Sequence, residues 1–387
     1  MMRSDALQRA LLENEAARLA TRLAFLVAGF GVSCWAPLVP FAKDRLAIDE
    51  QILGILLLCL GVGSVVAMLF TGILSTRFGT RRVILVSGVA LALLLPTLAV
   101  SSTTVVMGVS LLFFGAALGA LEVAMNIHAV EVERDSGRTL MSGFHALYSV
   151  GGFAGATFIT TLLTLGLGTL ESVSIASGMM LLATFAAGPR LLRTKASEKA
   201  PHFAVPRGVV LIIAALAAIM FLAEGALLDW GALLITDRNL MDMKHGGMGY
   251  MMFAIAMTLG RFSGDALIAR IGDRQALLWG GVVAIAGFIV LLRASIAGLA
   301  LLGFVLVGLG AANIVPVLFR RAGSQTVMPA GLAVAIMSTT GYAGILLGPA
   351  IIGFVAKQIG LTNAFWMLPV LVCLVPLCSR LVAPRDK

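Results

Sequence analysis

Charged residues are scarce in this chain of 387 residues: Asp, Glu, Lys and Arg together account for 12% of the sequence. A soluble globular domain carries about 25%. Hydrophobic residues account for 59%, and the mean hydropathy is +1.02. So little charge on so apolar a chain excludes a water-soluble fold. The composition therefore predicts an integral membrane protein that uses the lipid bilayer as its solvent.

Several kinds of chemistry are also missing from the sequence. There is no nucleotide-binding loop of the Gly-x4-Gly-Lys type, and no nucleophile stands with a histidine in a catalytic signature. The cysteines lie in apolar segments without metal-ligand spacing, which favours buried hydrophobic side chains over disulfides. We therefore expect no cofactor, no metal and no enzymatic activity. The cysteines are Cys34, Cys59, Cys373 and Cys378.

Long apolar runs dominate what remains. A helix of about 20 apolar residues crosses a bilayer, and twelve segments meet that length. The short connections between them suit antiparallel neighbours, so the predicted fold is an all-α membrane protein with twelve transmembrane helices. The predicted spans lie near residues 20–41, 52–75, 82–100, 104–130, 139–165, 171–190, 208–235, 245–268, 275–293, 296–319, 326–355 and 363–383.

The basic residues predict the orientation. With both termini in the cytoplasm, the inner segments hold 21 of the 28 Lys and Arg residues and the outer loops hold six, leaving Arg261 within or at the edge of a span. Cytoplasmic loops carry such an excess, so we expect a bacterial inner-membrane protein. The same bias explains the formal net charge of +9 without a nucleic-acid partner.

The predicted organisation has two bundles of six helices. No cleavable signal peptide is evident at the N-terminus, which we interpret as a short cytoplasmic helix or tail. A basic loop with two prolines separates the bundles. The predicted segments are an N-terminal segment 1–19, a first bundle 20–190, a central loop 191–207, a second bundle 208–383 and a tail 384–387.

The two halves repeat each other. Residues 77–81 and 270–274 share an Arg-x-Gly-x-Arg pattern at an offset of 193 residues, and residues 119–122 match 310–313 at an offset of 191. This second match makes Asn313 the counterpart of Glu122. Repeated halves are typical of secondary transporters, whose substrate site lies near the membrane midplane.

Residues 72–82 resemble the glycine–arginine signature of the major facilitator superfamily, and the resemblance covers nearly all of the chain. Thr76 stands where that signature usually has an aspartate. The second copy, residues 260–272, has Ala269 where an acid is usual. The resemblance implies two pseudo-symmetric six-helix bundles, alternating access and a monomer.

The signature also implies an inner gate that includes Arg77 and Arg81. Because both copies lack the usual acid, the gate's ion pair is either absent or made by Asp265 with Arg261. These two residues are four apart, so they share a helix face. We expect them at the inner end of the eighth span.

Other segments are similar to the YbjJ/MosC-like group of bacterial inner-membrane proteins: residues 122–126, 145–151, 223–225 and 229–230. Residues 121–126 also look like the fourth helix of the fucose–proton symporter family, where a glutamate takes part in proton coupling. That family's second coupling acid lies in its first helix, and the corresponding residues 32–37 contain no acid. The resemblance therefore implies a coupling role for Glu122 alone.

Glu122 is costly at membrane depth, by about 2.5–3.5 kcal/mol on insertion scales. Asn126 lies on the same helix face, so the two can line a cavity, and a carboxyl group that is neutral in one state and ionised in another can carry a proton. The alternative is a structural glutamate bonded to another helix. Glu224 is a second candidate, expected ~25 Å into the seventh span and thus in its outer half. Asp229 lies about 140° away on a regular helix, so both can face one cavity only if the helix breaks.

Further polar and aromatic residues complete the candidate set. His145 near the inner start of the fifth span can exchange protons with Glu122 or simply pack, since histidine titrates near neutral pH. Residues able to contact a polar solute are Asn126, Tyr148, Trp35, Asn313 and Asp229, although core packing is the alternative for Trp35. With no evident basic ligand at mid-membrane, a neutral polar solute such as a sugar or cyclitol, or a cation, fits better than an anion.

These observations predict a proton-coupled secondary transporter that works by alternating access. Symport and antiport use the same residues, so uptake and efflux both remain open. A drug or metabolite exporter is the alternative within the class, and a non-transporting membrane sensor is the alternative outside it.

Overall fold

The computed structural model describes residues 2–48, 50–192, 206–241, 245 and 247–384. These residues form helices joined by short connections, and no strand occurs among them. Eleven helical segments in the described ranges are long and apolar enough to cross a membrane. One of them contains two of the predicted spans, so the count agrees with the twelve that the sequence predicts.

The chain folds into two compact units. Unit 1 comprises Met1–Gly137 and Leu147–Ala204, and unit 2 comprises Arg138–Ala146 and Val205–Lys387. The first turns of the fifth span thus group with unit 2. Residues 193–205 of the predicted central loop lie outside the described residues.

Seven helices form the described part up to residue 192. Some are short because a proline or a glycine interrupts them, as at Pro37, after which a single 3₁₀ turn separates two helices. They are α1 Met2–Trp35, α2 Val39–Leu46, α3 Glu50–Phe78, α4 Thr80–Val100, α5 Thr104–Ser136, α6 Met141–Thr164 and α7 Thr169–Ala187.

Eight helices form the described part from residue 206 onwards. The twelfth predicted span consists of three short consecutive helices. They are α8 Val209–Asp237, α9 Met248–Arg293, α10 Ala297–Ala311, α11 Ile314–Ser324, α12 Ala330–Ile359, α13 Leu361–Phe365, α14 Met367–Val372 and α15 Leu374–Val382.

Two features of unit 2 differ from the predicted spans. The eighth and ninth spans form one element, α9, with non-helical backbone at Gly272 (φ 79°, ψ 161°). This conformation is essentially restricted to glycine. The tenth span is divided into α10 and α11 at Ala312 and Asn313. Pro316 explains the division, because it has no N–H to donate to the carbonyl of Ala312.

The repeat of the two halves extends to packing contacts at an offset of 193 residues. A Cβ added to Gly115 would lie 2.0 Å from the carbonyl oxygen of Leu60, and one added to Gly308 would lie 2.4 Å from that of Phe253. Both glycines thus let a neighbouring helix backbone approach closely. Under this offset the counterpart of Glu122 is Val315, so the prediction that pairs Glu122 with Asn313 is wrong.

Arginines also cap helix ends at the same offset. Arg45 donates to the carbonyls of Leu98 and Ser101 at 2.7 and 3.0 Å, at the end of α4. Arg238 donates in the same way to Leu291 and Ala294 at 2.8 and 2.6 Å, at the end of α9. Both arginines are among the six basic residues predicted on the outer side, and their charges stabilise the C-terminal ends of helices.

The glycine contact gives a stability prediction. Gly115→Ala places a Cβ against the Leu60 carbonyl, so α3 and α5 must separate, and we expect a loss of about 1–3 kcal/mol. Gly178→Ala on α7 is the matched control, because a Cβ there meets nothing within 4 Å and alanine favours the helix by up to about 1 kcal/mol. Unfolding in mixed micelles should separate the two variants in opposite directions. Equal stabilities would contradict the close approach.

Candidate functional site

A carboxylate and a phenol meet in unit 1. The Tyr148 hydroxyl on α6 donates to Glu122 Oε1 on α5 at 2.8 Å. Asn126, one turn further along, donates from Nδ2 to the backbone carbonyl of Glu122 at 2.8 Å. Its buried Oδ1 has no hydrogen-bond partner among the described residues. The two predicted ligands thus lie on one face with Glu122, and the amide oxygen is available to a solute hydroxyl.

Trp35, the last residue of α1, is also in unit 1. Its side chain is 5% exposed, which fits the core-packing alternative. The indole Nε1, however, is buried and has no acceptor in the described part of the chain. A buried indole N–H usually has a partner. Trp35 therefore stays a candidate donor to a solute oxygen.

His128 was not chosen from the sequence, and the structure gives it a structural role. It is fully buried on α5. The Leu192 backbone N–H donates to Nε2 at 2.9 Å, so Nε2 carries no proton. The Thr21 hydroxyl donates to the Ala17 carbonyl at 2.8 Å, so it accepts from Nδ1 at 3.1 Å. The ring is therefore neutral and joins α1, α5 and the start of the central loop.

Glu224 and Arg261 line one small internal cavity of unit 2. Glu224 lies fifteen residues after the start of α8 and thirteen before its end, hence near the middle of the helix rather than in the outer half. Arg261 is likewise midway between Met248 and Gly272 of α9, not at the inner end. The rest of the lining is apolar: Met220, Ala223, Leu227, Phe253, Met257, Phe288, Val307, Ala311 and Val315.

Arg261 also contacts the break in the tenth span. Its Nε donates to the Ala312 carbonyl at 3.4 Å, which Pro316 leaves without a helical partner. Asn313 Nδ2 donates to the Gly260 carbonyl at 3.1 Å. The side chain of Arg261 is 8% exposed, so a buried guanidinium does lie at mid-helix. The expectation that no basic group lies at mid-membrane is therefore wrong.

Asp265 caps the start of α6. Its Oδ1 accepts from Ser142 N at 3.0 Å and its Oδ2 from Gly143 N at 2.9 Å. The Thr139 hydroxyl donates to the Asp265 carbonyl at 2.7 Å. All four residues belong to unit 2. A carboxylate on the unpaired N–H groups of a helix start is favourable, so Asp265 holds α6 against α9.

The remaining candidates lie apart from the cavity of unit 2. His145 belongs to unit 2, and its ring stacks on Phe319 with centroids 5.4 Å apart. Asp229 is exposed and absent from the cavity lining, because α8 runs without the break that would turn it towards Glu224. Arg77 is exposed, with its guanidinium carbon 5.4 Å from the Phe78 ring centre, and Arg81 is half-buried in the first turn of α4.

An ion-pair cluster that sequence reasoning missed joins the end of the tenth span to α9. Asp273 pairs with Arg320 and with Arg321, whose Nε lies 2.6 Å from Oδ2. The carboxylate is nearly buried, so both pairs are partly shielded from solvent. The repeated pattern at residues 270–274 marked this turn, but nothing in the sequence identified the partners 47 residues further on.

Comparing the halves at an offset of 193 residues separates scaffold from site. The close glycines and the capping arginines recur in both halves. Glu122 corresponds instead to Val315, Glu224 to Gly31 and Arg261 to Met68. A charged group in one half thus faces an apolar or small counterpart in the other. No set of His, Cys, Asp or Glu in the described ranges could hold a metal ion.

An all-α membrane protein of two repeated halves, with charged groups inside its helices, is the architecture of a secondary transporter. The family profile described as Major Facilitator Superfamily matches residues 22–327. The chain belongs to that superfamily. It is a multi-pass membrane transporter and not an enzyme, and the predicted resemblance and fold class are confirmed.

Two relatives match over most of their length. An uncharacterized MFS-type transporter of Yersinia pestis is 47% identical over 376 residues, which cover 97% of this chain and 98% of that protein. Membrane protein MosC of Rhizobium meliloti is 29% identical over 367 residues, 94% of this chain and 89% of MosC.

Solved structures with the same fold include two proton symporters. The Escherichia coli fucose:proton symporter FucP superimposes with a TM-score of 0.79 at 15% identity, over 96% of this chain and 99% of FucP. The proton:xylose symporter XylE gives 0.76 at 12% identity, over 94% of each chain. At these identities the likeness concerns the fold.

Proposed function

We propose that this chain is a proton-coupled secondary transporter of a small, neutral, polar solute, working by alternating access in the bacterial inner membrane. Glu122 is the proton carrier of unit 1, with Tyr148 as its hydrogen-bond donor. Asn126 and Trp35 are the solute ligands nearest to it in the sequence pattern. Both termini lie in the cytoplasm, and the protein works as a monomer.

The observation that carries this proposal is the Glu122–Tyr148 contact. A carboxylate inside a membrane helix is a functional feature by default, and a single neutral donor leaves it free to gain or lose a proton. Its absence from the repeat, where Val315 takes its place, supports a role beyond holding the helices together. The fucose and xylose symporters that share the fold support coupling to protons and a sugar-like solute.

Arg261 narrows the solute class rather than reversing it. Glu224 lines the same cavity, so the carboxylate balances the guanidinium and leaves no net positive charge for an anion. We assign Glu224 and Arg261 to coupling and keep a solute that binds through hydroxyl groups. Asn313, which holds the broken span to Gly260, then acts in bending that span, with its buried Oδ1 as a possible solute acceptor partner.

Transport in proteoliposomes tests the function. Purified protein is reconstituted, and a panel of labelled hexoses, pentoses, cyclitols and cationic drugs is offered with and without an imposed pH gradient. We expect accumulation of a hydroxyl-rich solute, up to about tenfold per pH unit for one proton per solute. Accumulation of the cationic drugs against the gradient's direction would instead indicate an efflux antiporter. Binding without any movement would favour the sensor.

A further inference from the structure

A groove runs along the outer surface of unit 1. It lies between α3 and α4, with α5 as its floor, and has an empty volume of about 1020 Å³ including its open side. We call it the lateral groove. Its lining is Leu74, Phe78, Arg82, Val83, Val86, Ser87, Ala90, Leu94, Phe113, Ala116, Ala117 and Ala120.

The groove follows from how the three helices pack. Both α3 and α4 pack extensively on α5 and far less on each other. Three alanines of α5, Ala116, Ala117 and Ala120, form a floor without bulk. Large apolar side chains such as Phe78 and Val86 form the walls and are exposed. In a membrane this concave surface must be filled, because an empty apolar cleft forfeits its dispersion contacts.

The dimensions of the groove match one lipid leaflet. From Arg82 to Leu94 the wall spans twelve residues of α4, or ~18 Å at 1.5 Å per residue. Half of the hydrocarbon core of a bilayer is ~15 Å. An acyl chain lying along α4 would therefore fill the groove from the interface to the midplane.

The charge at one end specifies the head group. Arg82 is exposed and is the only charged residue in the lining. Arg77 lies over the ring of Phe78, so a second guanidinium stands beside the groove wall. Guanidinium groups bind phosphate with paired hydrogen bonds, and the cytoplasmic leaflet carries anionic lipids. The orientation of this end towards the cytoplasm rests on the proposed topology.

We propose that the lateral groove binds one anionic phospholipid, with an acyl chain along α4 and the phosphate at Arg82. The lipid fills the gap between α3 and α4 and so stabilises unit 1. Binding of this lipid does not depend on which solute is carried, nor on proton coupling.

Native mass spectrometry of the purified full chain tests the proposal. Phosphatidylglycerol and phosphatidylcholine with the same chains are titrated separately in detergent. We expect the wild type to prefer phosphatidylglycerol, and Arg82→Gln to lose about fivefold of that affinity. Arg190→Gln, an exposed arginine near the same end of unit 1 but outside the groove, is the control and should bind as the wild type does.

Filling the groove tests the chain-binding half. Ala116→Phe should lower the affinity for both lipids by about tenfold or more, because each methylene kept out of the groove is lost. Ala90→Phe on the opposite wall gives a second variant if the first does not fold. Ala186→Phe, on an exposed face of α7, should change nothing.

Three results would overturn the proposal. Equal retention of the two lipids by the wild type, or equal effects of Arg82→Gln and Arg190→Gln, would remove the head-group assignment. Unchanged binding in both filled variants would remove the acyl chain from the groove. Displacement of the lipid by free glycerol phosphate would indicate a soluble phosphate as the ligand. None of these outcomes bears on proton-driven transport, so this proposal and the proposed function fail separately.

Discussion

Glu122→Gln should abolish proton-driven accumulation while leaving solute exchange in place. Glutamine keeps the size of the side chain and can still accept from the Tyr148 hydroxyl, but it cannot gain or lose a proton. A gradient of one pH unit, which supports accumulation of about tenfold in the coupled protein, should then support none. Counterflow of labelled against unlabelled solute, measured without a gradient, should persist.

Two further variants make this measurement specific. Tyr148→Phe removes the hydrogen bond and keeps the carboxylate, so we expect coupling to survive with an altered dependence on pH. Glu171→Gln changes an exposed glutamate in the first turn of α7 and should transport like the wild type. If Glu122→Gln still accumulates solute when the gradient is applied, Glu122 does not carry the proton, and Glu224 becomes the candidate.

Arg261→Met should be the most destabilising single change in unit 2. It removes the positive charge from the cavity that Glu224 also lines and the donor to the Ala312 carbonyl. Removing one partner of a buried charged pair typically costs about 3–5 kcal/mol, because the other charge stays buried alone. Chemical unfolding in mixed micelles, followed by tryptophan fluorescence, measures the loss.

A double variant isolates the electrostatic part of that loss. Adding Glu224→Gln removes the charge that Arg261→Met leaves uncompensated, so the double variant should be more stable than Arg261→Met alone. Arg270→Met is the matched control, since it changes an exposed arginine of the same helix and should cost less than about 0.5 kcal/mol. A double variant less stable than either single variant would show that the two charges are not coupled.

The sequence predicted the parts of this fold that depend on local pattern. Twelve apolar runs identify the spans, because length and hydropathy suffice for a membrane helix. Pro316 marked a kink in the tenth span, and its missing N–H accounts for the break that begins at Ala312. Depth was less certain: Arg261 and Glu224 lie at mid-helix because their helices extend several residues beyond the apolar segments.

The partners of the polar groups could not be read from the sequence. His128 bonds to Thr21 and Leu192 through packing of segments that lie far apart in the chain. The short match between residues 119–122 and 310–313 placed Asn313 opposite Glu122, whereas contacts of the helix backbones fix the offset at 193. The lateral groove depends on the spacing of three helices, which no single segment records.

The arginine caps also bear on the history of the chain. Arg45 and Arg238 each hold two carbonyls, and donor and acceptors all recur after 193 residues. A detail shared at this level is most simply inherited from one ancestral six-helix gene that already contained the cap before it was duplicated and fused. Glu122, Glu224 and Arg261 have no such counterpart, so they were gained or lost after the fusion, when each half became free to specialise.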